Sequence, residues 1–536
     1  MTSPPSIFGK RQRFDTALKQ QEFDMHHDRN TADRNTADIV IVGSGIMGSA
    51  TARLLRDAHP DARILMIDGG PVVGGVAGLH LHDSLEPEIW ERYNQRVATG
   101  IQGMYVGADV TPDITDELRS VEPGMYNLSA LGEDASAMPA SALSWNVGGM
   151  GVHWTAATPW PAGAETFDFG DAEQWQADLD RARTLLGVHP AVLGPTVPGR
   201  VVLEVLDDMF GDLGPANRRP QAMPMAVEPS ASGPLLRTGP SRIFTPMADG
   251  GDEAFELRPG TLAVAVLHDG ERASGVRVRD IASDEEYEIT AAVTIVCADV
   301  MRTPQLLFAS GIRPDALGRY LNEHAFVTSR VLMQLDRFGL TLDELPRARE
   351  GEFATDSLWL PQNGEPQPFH GQIMNSVYVD DDDAALAYSV GVSLYSPVES
   401  QPQNRLVFSE TETDVAGMPR ITVEFEYSQA DLALIEQAQQ HIRRVAERFG
   451  DFDPDTESAV LAAGSSLHQT GTVRSGTVDD GTSVCDPDGK VWGMDGLYLA
   501  GNGVIPTPVV GNATLTGVIT AVRASRAVAR LLVPAR

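Results

Sequence analysis

Ile39-Val40-Ile41-Val42-Gly43-Ser44-Gly45-Ile46-Met47-Gly48 decides the fold of this chain. Four β-branched residues in a row are the mark of a strand buried on both faces, as in a parallel sheet. The glycines that follow have the GxGxxG spacing, and an alanine- and leucine-rich stretch then reads as a helix to about His59. A second apolar strand, Ile64 to Ile67, completes a βαβ unit closed by Asp68-Gly69-Gly70. Gly43 permits the tight turn, Gly45 lets backbone approach a pyrophosphate, and Gly48 allows close helix–strand contact. The helix N-terminus offers its N–H groups to the phosphates. Asp68 stands 20 residues after Gly48, where a carboxylate can accept ribose hydroxyls. This is a dinucleotide site.

At 536 residues the chain needs two or more packed units. With 41 basic and 74 acidic residues its net charge is −33, which disfavours nucleic acid and anionic membrane surfaces as partners. No apolar run is long enough to span a bilayer, and the polar N-terminus lacks a secretory pattern, so a cytoplasmic location is expected. Cys297 and Cys485 are too few for a disulfide framework or a cysteine metal cluster, and no metal is expected. The tetrad Asp380 to Asp383 reads as a solvated turn. A tandem pentapeptide, residues 29–33 and 34–38, and His26 and His27 lie in a polar N-terminal arm, which could dock on another subunit of a homo-oligomer.

Strand-like segments recur at Leu262 to Leu267, Gly275 to Asp280, Glu286 to Ala291 and Val293 to Cys297. A further strand, Gly496 to Ala500, precedes a long helix from Asn512 to Leu532. A nicotinamide enzyme would use its dinucleotide fold locally. Here Gly496-Leu-Tyr-Leu-Ala500-Gly501-Asn502 resembles the strand of FAD proteins that returns to the cofactor domain, and the last helix can aim its positive end at the flavin. The expected architecture is α/β, with α+β character in the insert. A Rossmann-like FAD-binding domain, discontinuous in sequence, carries an inserted substrate domain on a mainly antiparallel sheet. Boundaries fall at 1–37 for the arm, at 38–165, 236–325 and 455–536 for the FAD-binding domain, and at 166–235 and 326–454 for the substrate domain.

The segment Ala298 to Ile312, with Thr303-Pro304-Gln305 and Ser310-Gly311, is similar to the second signature of the glucose–methanol–choline (GMC) oxidoreductase family, although its usual final glycine is Arg313. Gly148-Gly149-Met150-Gly151-Val152-His153-Trp154-Thr155-Ala156-Ala157-Thr158-Pro159 resembles the flavin-attachment segment of pyranose 2-oxidases, with Val152 and Ala156 in place of threonine and cysteine. The resemblance implies that His153 sits beside the flavin 8α-methyl. It leaves open whether His153 is bonded to it or only adjacent. It places Thr155 near flavin N5. It also carries over Ser44, Gly149, Met150, Trp154, Val266, Ala298, Gly501, Asn502, Ala513 and Thr514 as cofactor contacts.

Oxidising an alcohol by hydride transfer requires a base for the hydroxyl proton, and a neutral imidazole suits this near pH 7. Leu467-His468-Gln-Thr-Gly471 is similar to the family segment that bears this base, and Asn512, 44 residues later, matches the second catalytic position. The second histidine usual in pyranose oxidases is Val473 here. The implied reaction oxidises a ring secondary hydroxyl, C2 or C3, of a sugar or glycoside, with hydride passing to flavin N5 and reoxidation by dioxygen or a quinone. A choline- or sterol-like alcohol is the alternative within the family, and a non-catalytic flavoprotein the alternative outside it. Trp160, Trp359, Phe369, Tyr378 and Tyr395 are candidate stacking surfaces, and a loop-rich insert at 340–405 could admit a bulky glycoside.

Overall fold

A computed structural model describes residues 35–98, 118–229, 235–347, 352, 354–380 and 384–532. The expected arm to residue 34, most of the tandem pentapeptide, and three residues of the Asp380–Asp383 tetrad lie outside them.

The opening βαβ unit forms as its sequence requires. Strand β1 (Thr36–Val42) leads through the glycine turn into helix α1 (Ile46–Ala58), and β2 (Ile64–Ile67) follows. β1 pairs in parallel with β2 on one side and with a later strand, β6 (Glu286–Val296), on the other, so Ile39, Val40 and Ile41 are fully buried. Seven described strands make this sheet. β3 (Phe255–Arg258) adds in parallel beyond β2, and β4 (Thr261–His268), β5 (Ala273–Asp280) and β6 (Glu286–Val296) form an antiparallel meander. Helix α2 (Asp299–Ala309) follows β6. The chain then returns as β7 (Leu497–Leu499), parallel to the end of β6, and finishes in helix α3 (Thr514–Leu531), which packs along α1.

β6 corrects one expectation. Glu286 to Ala291 and Val293 to Cys297 read as two strands, yet they form one. Its first half alternates exposed and buried residues against antiparallel β5, whereas its second half is buried throughout between β1 and β7. The change of pattern marks a change of partner, not a break.

A second, six-stranded antiparallel sheet runs in the order Ser458–Val460, Ala325–Leu332, Ala385–Ser396, His370–Val379, Asp356–Leu360, Gln221–Ala222. Helix Gln429–Phe449 covers it with Ile435, Ala438, Ile442, Val445 and Phe449. Much of the expected loop-rich insert at 340–405 is therefore sheet. The helices of the 166–235 segment divide between the two cores. Ala172–Leu186 buries Trp175, Leu179 and Leu186 with α1 and α3, whereas Val197–Phe210 buries Val202 and Leu206 under the second sheet.

Candidate active site

The dinucleotide turn is knotted together by one hydroxyl. Ser44 Oγ donates to Asp68 Oδ2 at 2.5 Å and accepts the Gly148 N–H at 2.8 Å. Asp68 also accepts from the Ser44 N–H at 3.1 Å and from the Gly70 N–H at 2.9 Å. The glycine turn, the Asp68 carboxylate and the Gly149–Val152 turn that precedes His153 are thus held as a unit. Burial raises the Asp68 carboxyl above the usual aspartate range, against the opposing pull of these donors.

The glycines meet their steric demands. Gly43 has φ +99°, and a Cβ there would lie 2.5 Å from the Cys297 carbonyl oxygen; one on Gly48 would lie 2.0 Å from the Gly43 oxygen. A Cβ on Gly45 would meet only the Gly148 oxygen, at 3.7 Å, so that glycine leaves space open in front of α1. Gly45 caps α1 without a side-chain hydrogen bond, and Ala513 does the same at α3. Each helix therefore presents first-turn N–H groups for a ligand to satisfy. Asn502 Oδ1, Asn512 Oδ1 and Thr516 Oγ1, all near the start of α3, are buried without a protein partner. These features fit FAD, whose pyrophosphate would lie against Gly45 and whose ring would lie towards α3.

Asn512 was expected to begin the last helix. The helix begins instead at Thr514, so Asn512 does no capping and its amide is turned elsewhere. Its Nδ2 lies 3.1 Å from His468 Nε2. His468 follows Leu467, which is held in the left-handed region at φ +58°, a conformation that costs a branched residue about 1 kcal/mol and persists only when the surroundings impose it.

What imposes it is the tripeptide Asn322-Glu323-His324, none of which sequence reasoning singled out. Asn322 pairs its backbone with Thr470 at 2.9 and 3.1 Å. The buried Glu323 carboxylate accepts from Ser466 Oγ at 2.6 Å, from Gln469 Nε2 at 2.9 Å and from the Gly464 N–H. His324 Nε2 lies 3.0 Å from His468 Nδ1. A third imidazole, His370, accepts from Trp359 Nε1 at 3.0 Å and stacks on Tyr395, with ring planes 11° apart. His324 and His468 also pack on Tyr395, at centroid distances of 4.4 and 5.6 Å. The signal available in sequence was three polar residues leading directly into the apolar strand Ala325–Leu332.

The three histidines are neutral near pH 7. Burial, then the neighbouring imidazoles of His324 and His370, push His468 well below the usual histidine range. Burial lowers His324 to about 4, and burial with His324 and Arg218 lowers His370 well below its ordinary value. Burial raises the Glu323 carboxyl to about 7. Asn512, His370 and Thr516 border a cavity of about 10 Å³, room for a single water.

Other expected contacts scatter. Ala298 lies against Gly43. Val266 is buried in the core under the first sheet, and its N–H is taken by Ser310 Oγ at 2.8 Å. Gly501 donates its N–H to Thr520 on α3 at 2.8 Å. His153 is buried, with Nε2 2.9 Å from Asn146 Oδ1, while Trp154 Nε1 donates to the Thr238 carbonyl; Met150 and Thr155 are half-buried on either side. Phe369 and Tyr395 are core residues and Tyr378 is exposed, whereas Trp160, edge-on to Trp359 at 4.4 Å, lines with it the cavity beside Asn512 and His370.

Residues 253–326 and 400–521 match the GMC oxidoreductase family, and residues 41–94 match an NAD(P)-binding Rossmann-like domain. The chain is 38% identical to a C-glycoside 3-oxidase of Microbacterium trichothecenolyticum over 92% of its own length and 96% of the relative's. The chain belongs to the GMC oxidoreductase family. It is 37% identical to a C-glycoside 3-oxidase of Arthrobacter globiformis, over 93% of this chain and 96% of that one. It is 27% identical to a pyranose 2-oxidase of Emericella nidulans, over 92% of each. Among solved structures, pyridoxine 4-oxidase from Mesorbium loti shares the fold with a TM-score of 0.62 at 15% identity, covering 92% of this chain and 99% of that one. As a GMC oxidoreductase with a Rossmann-like domain, the chain is an enzyme whose implied cofactor is FAD. No described helix is long and apolar enough to cross a membrane.

Proposed function

We propose that this GMC oxidoreductase oxidises a ring secondary hydroxyl of a glycoside, at C3, to the ketone. The observation that carries the reading is the pair His468 and Asn512, 3.1 Å apart in front of the α3 N-terminus. Support for glycosides comes from the two C-glycoside 3-oxidases, each aligned over more than nine-tenths of its length. His468 Nε2 takes the hydroxyl proton as the C–H bond breaks. Asn512 Nδ2 donates to the oxygen as it gains charge, and withdraws from it as the carbonyl forms. FAD supplies the two-electron acceptor, and dioxygen takes those electrons to give hydrogen peroxide.

The cofactor is held without a bond to His153 Nε2. His153 Nε2 is engaged by the Asn146 amide oxygen, and alkylation there would forfeit that buried hydrogen bond. The two buried, unpaired cysteines suit a cytoplasmic location.

The test is anaerobic addition of a C-aryl glucoside to the flavin-loaded enzyme. Loss of the flavin visible absorbance, with a 3-keto glycoside recovered, is expected. Loss with choline or a sterol and none with any glycoside would refute the assignment.

A further inference from the structure

His468 can serve as a base only if its lone pair is on Nε2, the nitrogen beside Asn512. A free imidazole carries its proton on either nitrogen, so something must choose. The choice begins 3.1 Å from His324 Nδ1, at the Val509 carbonyl oxygen, which accepts and cannot donate. Nδ1 of His324 therefore holds the hydrogen. A neutral imidazole has only one N–H, so His324 Nε2 is an acceptor. That nitrogen lies 3.0 Å from His468 Nδ1, which must donate to it. By the same count His468 Nε2 is left with the lone pair, and it faces the donor-only Nδ2 of Asn512 at 3.1 Å.

The reverse polarity fails. It would set two N–H groups against each other at Asn512 and leave the Val509 carbonyl without a donor. Turning the Asn512 amide would rescue the first fault, but no rotation rescues the second. Leaving a buried polar group unpaired costs about 1–3 kcal/mol, a tautomer ratio of roughly 5- to 150-fold. His324 is 1% exposed, so solvent does not supply the missing partner. The Tyr395 ring packs on the His324 ring at 4.4 Å and holds its plane, while the Tyr395 hydroxyl donates to Gln372 Oε1 at 3.0 Å.

We propose that His324 is a positioning residue that transmits the polarity of the Val509 carbonyl to His468, fixing the tautomer with its lone pair at Nε2 and stabilising the imidazolium formed when that nitrogen takes the substrate proton. This deepens the proposed function, since it rests on His468 as the base.

The test uses the FAD-loaded enzyme with ¹⁵N-labelled histidine. His468 signals are identified by their loss in His468→Gln, and the tautomer is read from the nitrogen chemical shifts without substrate. Wild-type protein is expected to show a protonated Nδ1 and an unprotonated Nε2 at His468. His324→Gln, whose side chain offers an acceptor and a donor in the same sense, keeps that pattern. His324→Leu loses it. In stopped-flow flavin reduction His324→Leu falls about 10²-fold in the limiting rate, with KM within about threefold, while His324→Gln recovers most of the loss. A protonated Nε2 in the wild type overturns the proposal, even if His324→Leu fails to fold, and so does an undiminished limiting rate in His324→Leu. If the tautomer is as stated but His468→Ala reduces its flavin normally, the base assignment falls instead.

Discussion

Gly45→Ala separates cofactor binding from folding. Gly45 has φ −67° and ψ −168°, an extended conformation open to any residue, and the new methyl would meet only the Gly148 oxygen at 3.7 Å. Nothing in the polypeptide has to move. Replacing glycine where alanine fits restricts the unfolded chain and stabilises by about 0.4–1 kcal/mol, so the apoprotein should melt at or slightly above the wild-type temperature. The methyl does occupy the space in front of the α1 first-turn amides. Each hydrogen bond to a charged phosphate oxygen contributes about 1.5–3 kcal/mol, so pushing the pyrophosphate off one such amide raises the FAD Kd roughly 10- to 100-fold. Fluorescence titration of apoprotein with FAD reads the affinity, and thermal melting of the same samples reads the fold. Gly48→Ala is the contrast, because its methyl would stand 2.0 Å from the Gly43 oxygen and must force α1 away from β1, lowering both. An unchanged Kd in a well-folded Gly45→Ala protein would refute the placement of the pyrophosphate.

His468→Ala should slow flavin reduction by about 10²–10⁴-fold with the bound flavin spectrum intact; a rate near wild type removes the base. Burial and the imidazoles of His324 and His370 hold His468 neutral below pH 6.5, with Tyr395 packed beside it and Glu323 tied up by Ser466, Gln469 and Gly464. The reduction rate should therefore stay flat from pH 8 down through 6.5, and a half-loss near 6.5 would contradict this. His324 is lowered from 6.5 to about 4, so the unfolded chain takes up its proton first. Its contribution to stability is complete above pH 6.5 and is lost as pH falls towards 4, by roughly 3 kcal/mol over those 2.5 units. Denaturant melts should show His324→Gln losing correspondingly less stability than wild type across that window. Precipitation with acid should leave the yellow colour in the supernatant, and a yellow pellet would establish a covalent bond instead.

The fold was legible wherever its causes are local. β1, α1 and β2 follow from a β-branched run, a glycine turn and a helical period, all within 32 residues. What depended on distant partners was misread or missed. The apparent gap in β6 is an exchange of antiparallel β5 for parallel β7, and β7 comes from about 200 residues further along the chain. Helix Ala172–Leu186 reads as part of the insert, yet Asp178 is buried against Arg523 and Arg526 of α3, more than 340 residues away. An Asp in the middle of an amphipathic helix gives no hint of that destination.

The site divides along the same line. His468 and Asn512 lie in segments with recognisable neighbours, whereas His324 lies 144 residues from the imidazole it orients. Its role follows from hydrogen-bond direction, which no spacing encodes. The arrangement also explains why the orienting group is a neutral histidine anchored on a backbone carbonyl. A carboxylate on His468 Nδ1 would raise its pKa and leave it partly protonated at pH 7, when the base must be empty. The nearby carboxyl, Glu323, is kept off the ring by Ser466, Gln469 and the Gly464 N–H. The carbonyl at Val509 supplies direction without charge, so His468 stays unprotonated until the substrate hydroxyl gives up its proton. That is the requirement for removing a proton from a neutral hydroxyl, and it is indifferent to the −33 on the rest of the chain.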